Sequence, residues 1–127
     1  MPLYTPTSII IVRGGTFDNM GGIAAGSLST FIRFPVSGKI IGWSIEAEGS
    51  SPTATIDFWK IGTGTAVPTI ANSIFSTNPQ LITGNAIEIS STAGFNTTNI
   101  VAGDIGIVYI QAVSNATKLT FNLKIKQ

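Results

Sequence analysis

The residues able to do chemistry are few. The 127-residue chain has no cysteine and no histidine. It therefore has no thiolate nucleophile, no thiolate metal site and no disulfide framework. It also lacks the usual neutral-pH acid/base and the commonest metal ligand. What remains is a small set of carboxylates. Glu46 and Glu48 are two apart, so on a strand they share a face. Such a pair can hydrolyse glycosides when separation and environment suit. No supporting motif surrounds them, and the spacing predicts a solvated strand face beside a turn. Asp57 precedes Lys60 by three residues, which suits a local ion pair or a carboxylate bonded by a neighbouring loop. Asp104 follows Gly103, a pattern for a turn whose side chain bonds nearby amides. Calcium would need about six to eight oxygen ligands, which three Asp and three Glu scattered over the chain do not supply. No catalytic, metal or cofactor-binding residue is expected, and the chain reads as a non-enzyme.

The aromatic residues offer recognition instead. Period-two alternation puts Trp43 on a core face, whereas Trp59 falls opposite Ile56 and Phe58. Trp59 then suits a sugar-stacking platform or a subunit contact. The segment 14–26 holds five glycines. A phosphate-binding loop would need a Gly-Lys-Ser/Thr ending, and no lysine is present. Close packing against another chain is the expected use, since glycine permits close backbone approach.

These residues must be placed by β-structure. The chain is rich in Ile, Thr, Ser, Gly and Asn, which favour strands and turns. Hydrophobic residues are 43% and charged residues 10%, so a disordered or coiled-coil chain is excluded. Length predicts one domain. Net charge is +1 and the basic residues are scattered, unlike the basic stripe of a nucleic-acid binder. The longest apolar run, Ile9 to Val12, falls far short of the roughly 20 residues that span a membrane. The opening Met1 to Pro6 lacks a basic region ahead of an apolar run, so no signal peptide is expected.

The clearest strand runs through Leu119, Phe121, Leu123 and Ile125, alternating with polar residues. Asp104 to Val113 is apolar on both faces: Ile105, Ile107, Tyr109 and Val113 on one, Val108, Ile110 and Ala112 on the other. Such a strand lies between layers or beneath a partner chain. Ser114-Asn115-Ala116 predicts a hairpin loop between these two strands. Lys39 to Ala47, with Ile41, Trp43, Ile45 and Ala47 on one face, and Thr53 to Lys60 are further strands, joined by a turn at Gly49 to Pro52. Ile9 to Arg13, Ser29 to Phe34 and Ile87 to Ser90 complete the set. Val67 to Phe75 suits one helical turn.

Several of these strings, taken in order, resemble a β-sandwich module of tailed-phage virion proteins, found in tail fibres, minor tail proteins and head-surface proteins. They are Gly38-Lys39-Ile40-Ile41-Gly42-Trp43-Ser44-Ile45, Ile56-Asp57-Phe58-Trp59-Lys60, Pro68-Thr69-Ile70-Ala71-Asn72-Ser73-Ile74, Ile100-Val101-Ala102-Gly103-Asp104-Ile105 and Leu119-Thr120-Phe121-Asn122-Leu123-Lys124-Ile125. The match covers about residues 36–126. It departs at Phe95-Asn96-Thr97-Thr98, where such modules often carry tryptophan.

Patterning predicts an all-β, single-domain antiparallel β-sandwich of about seven or eight strands. The resemblance implies a jelly-roll-like form, with 36–127 as the module and 1–35 as an N-terminal arm and possible anchor. It further implies a capsid decoration protein on the virion, made in the host cytoplasm, with a tail-fibre-type receptor- or carbohydrate-binding module as the alternative. Implied partners are copies of itself in a homotrimer, the major capsid or another virion protein, and a host-surface glycan, with no nucleic acid and no membrane insertion. Expected interface residues are Ile9, Ile10, Ile11 and Val12, which could extend a neighbour's sheet edge, together with Trp59, Val108 and Ile110.

Overall fold

A computed structural model describes residues 9–127. The expectations that fall on residues 1–8, including the start of the arm and the absence of a leader, lie outside the described residues. Nine strands form: β1 (Ile9–Asp18), β2 (Ile32–Arg33), β3 (Gly38–Glu48), β4 (Thr53–Ile61), β5 (Gln80–Leu81), β6 (Ala86–Ile89), β7 (Asn99–Ile100), β8 (Ile105–Ser114) and β9 (Lys118–Lys126). A single 3-10 turn, Ile70–Asn72, follows the Val67–Pro68–Thr69 stretch.

The strands make two antiparallel sheets. The first has the order β1-β9-β3-β6, with β7 also pairing β3; the second has the order β2-β8-β4-β5. Consecutive strands alternate between the sheets from β1 to β4, and the last strand inserts between β1 and β3. This double Greek-key winding is the jelly roll. The structure thus bears out the all-β sandwich. The sequence locates seven of the nine; the other two, β5 and β7, span two residues each, too few to show a period.

The core lies between the sheets. Ile45 of β3, Ile56 and Phe58 of β4, Val108 and Ile110 of β8, and Phe121, Leu123 and Ile125 of β9 are all fully buried. Aromatic rings bridge the two layers. Phe58 stands 6.1 Å from Phe121 and 6.0 Å from Phe34, and Phe75 packs 6.3 Å from Phe121 and 4.6 Å from Phe95. Burying each such ring contributes about 1.5–3 kcal/mol.

Three bulges shift the simple alternation. Pairing steps from Arg13 to Gly15 in β1, from Ile40 to Gly42 in β3 and from Ile110 to Ala112 in β8. One residue at each, Gly14, Ile41 and Gln111, is therefore extra. Strict alternation placed Ile41 inward; instead Ile40 is buried and Ile41 is the bulged residue. The bulge in β8 likewise turns Val113 towards the core and leaves Ala112 exposed.

Two further expectations are corrected. Ser114 to Thr117 is not a hairpin, because β8 and β9 lie in different sheets. It is an arch across the sandwich, as is Gly49 to Pro52. The two arches interlock, with Thr117 N–H donating to Glu48 O at 2.9 Å. The segment 9–35 supplies the first strands of the same sandwich. β1 pairs along β9, β2 pairs β8, and Leu28 bridges Tyr109. Gly14 and Gly15, expected in a loop, are buried within β1. They pack against Phe121, Val108 and Ser29 of their own chain.

Candidate interaction surface

The two outer faces of the sandwich differ. On the second sheet, the pairs Asp57–Tyr109, Trp59–Ile107 and Ile61–Ile105 point away from the core. The Trp59 and Tyr109 rings stack with centroids 5.0 Å apart and an interplanar angle of 22°. Both are half-buried.

Asp57 holds this ledge in place. The residue is 7% exposed. One oxygen accepts from Phe58 N–H at 2.8 Å and from Ser73 O–H at 2.5 Å; the other accepts from Trp59 Nε1 at 2.9 Å. Charge-assisted bonds of this kind are strong, and they fix the indole ring in one orientation. Ser73 reaches Asp57 because its segment bridges β4 at Trp59 just after the 3-10 turn.

Lys60 does not pair with Asp57. It faces the opposite side of β4 and meets Asp104 at 2.9 Å, with both side chains largely buried. Asp104 also accepts from Val101 N–H at 2.9 Å. The expected turn bond is present, and Lys60 completes it. These groups pin the β7–β8 turn to β4.

The outer face of the first sheet is polar. Glu46 and Glu48 point outward, as their spacing requires. Glu46 accepts from Asn122 Nδ2 at 3.0 Å, and Lys118 sits opposite both Glu48 and Asp18 in the ladder. Lys124 pairs with Glu88 at 2.6 Å. A shallow depression of about 390 Å³ is lined by Ile11, Ser44, Glu46, Ala86, Ile87 and Glu88. Among the described residues no group of three or more acidic side chains is placed to hold a metal ion. Among the described residues no helix is long and apolar enough to cross a membrane.

The expected interface residues separate. Trp59 is on the ledge. Ile10 and Val12 pack against the core, while Ile9 and Ile11 face outward. Val108 and Ile110 are corrected: both are at 0% exposure and belong to the core between the sheets. The second layer of the sandwich, rather than a partner chain, covers them. Asp57, Ser73 and Tyr109 were not singled out together, because Ser73 is 16 residues from Asp57 in sequence.

The chain is thus a jelly-roll β-sandwich with one polar and one aromatic outer face. No family model matches it, and no curated protein matches it. Among solved structures it is similar to a chain of infectious bursal disease virus, Gx strain, at 14% identity and a TM-score of 0.38. That alignment covers 94% of this chain and 32% of the viral one, so this chain spans about a third of that relative. It is similar to a chain of the cyanophage Pam1 capsid asymmetric unit at 15% identity and a TM-score of 0.38, covering 99% and 90%. It is also similar to a family 35 carbohydrate-binding module from Clostridium thermocellum at 14% identity and a TM-score of 0.40, covering 93% and 97%. Likenesses this distant carry nothing about what the chain binds.

Proposed function

We propose that this protein is a non-enzymatic structural component of a phage particle, and most concretely a decoration protein on the capsid surface. The observation that carries the reading is the Trp59–Tyr109 ledge. It is a rigid aromatic pair on an outer sheet face, locked by the buried carboxylate of Asp57. Tryptophan and tyrosine dominate the energetics of protein interfaces. A ring already fixed loses little freedom on docking. The ordered strings that resemble virion β-sandwich modules add support, since Asp57 and Trp59 lie within one of them and Ser73 within another. Asp57 and Asp104, the buried carboxylates, are spent on internal bonds, which favours binding over catalysis.

The test is the chain's copy number in purified particles of the phage that encodes it, with and without Trp59→Ala. Copy number in proportion to the capsid protein, lost with Trp59→Ala in a still-folded chain, supports the reading. Absence from particles overturns it. The second reading is a glycan-binding module of tail-fibre type, favoured by the partly exposed indole. It predicts glycan-array binding that Trp59→Ala abolishes, and a copy number in proportion to the tail.

A further inference from the structure

The four sheet edges are unequal. The first sheet is bounded by β1 and β6, the second by β2 and β5. Three of these strands are short, at four, two and two residues. Short edges are one way proteins avoid unwanted pairing. β1 runs for ten residues, and among the described residues nothing pairs with its outer side. Its first half, Ile9 to Arg13, precedes the bulge, contains no proline and carries a single charge, Arg13.

The side chains repeat the message. Among the described strands of the first sheet, Ile9 and Ile11 are the large apolar residues left exposed, at 57% and 59%. Both stand on this edge strand, beside the otherwise polar Lys124 and Lys126. An open hydrogen-bonding edge and an uncovered apolar pair therefore coincide.

We infer that Ile9 to Arg13 pairs antiparallel with the same segment of a second copy, about a two-fold axis through Ile11. The segment is complementary to itself, as an isologous interface requires. In that register Ile11 lies against Ile11 of the second copy, Ile9 beside Arg13, and Ile10 beside Val12. The outward isoleucines then cover one another, and the arginine stem lies over Ile9. The inward pair continues the core face of both sheets. Residues of one parity in an edge strand carry the free N–H and C=O groups. This register satisfies either parity, since it joins Ile10 to Val12 and Ile11 to itself. The bulge at Gly14 bends the rest of β1 and ends the pairing there. The contact joins two sandwiches into one continuous sheet. It is independent of the particle-binding reading: a chain that pairs this way yet binds no capsid would leave it standing.

The experiment combines solution mass with single cysteines. The full chain should elute at about twice 13.2 kDa, and Ile11→Lys, an exposed change, should return a folded monomer. The natural chain has no cysteine, so one added thiol reports on one position. Residues directly opposite have Cβ atoms about 4.5–5.5 Å apart, close to what a disulfide needs. Ile11→Cys should therefore oxidise to a covalent dimer. Ile9→Cys should not, because its symmetry mate lies four residues away along the strand, about 13 Å. A monomer at every concentration overturns the inference. So does a trimer, any oligomer that Ile11→Lys leaves intact, or crosslinking that is equal at positions 9 and 11.

Discussion

Asp57 shows how much one side chain can organise. Three donors converge on it: a backbone amide, a hydroxyl and an indole N–H. Removing the carboxylate leaves all three without their acceptor in a nearly buried place. Each such loss costs about 1–3 kcal/mol where water cannot enter. Asp57→Ala is expected to lower stability by about 3 kcal/mol in urea unfolding and to shift native tryptophan emission to the red as Trp59 loosens. Ser73→Ala removes the hydroxyl's bond to Asp57 and the weaker one it accepts from Phe75 N–H at 3.3 Å, and should cost about 1–2 kcal/mol. Equal losses in the two variants would show that the convergence on Asp57 does not hold the ledge. The sequence marked Asp57 and Lys60 as notable but could not pair them correctly. Lys60 finds its carboxylate 44 residues onward, a distance no local spacing encodes.

At the scale of elements, the long strands were legible because burial writes a period of two into them. β9 alternates without interruption, and the two faces of β4 and β8 are both visible as patterns. The bulges were not legible. An extra residue at Ile41 or Gln111 inverts the alternation beyond it, yet changes no residue type. The Ser114 arch was read as a hairpin, since turn residues mark a reversal without saying which sheet receives the next strand. Gly14 and Gly15 hid the second half of β1, where glycine serves closeness rather than looseness. A Cβ on Gly15 would stand 2.7 Å from Ser29 Cβ and 2.9 Å from a Val108 methyl. Overpacking of this kind costs about 1–3 kcal/mol. Gly15→Ala should lose that much, measured by urea midpoint. Gly64→Ala, with nothing within 4 Å, should stay within about 0.5 kcal/mol. A neutral Gly15→Ala would mean that β1 sits more loosely on the core than these distances imply.

Over the whole molecule, fold class and layer count followed from composition and period, while the winding did not. The jelly roll pairs the first long strand with the last, so its sheets close only through contacts far apart in sequence. Loop closure of that kind makes folding slow, in milliseconds to seconds for all-β domains. Stopped-flow refolding should fall in that range; a microsecond phase carrying the full amplitude would contradict it.

The place of β9 also matters during synthesis. Lys118 to Lys126 is the last strand of the sandwich to be made, yet it fills the slot between β1 and β3. Until it leaves the ribosome, the growing chain carries two long strands with a gap between them and an uncovered row of isoleucine and aromatic side chains. Translation adds about 5–20 residues per second, so that half-built sheet persists long enough for a chaperone, or a neighbouring nascent chain, to occupy the gap first.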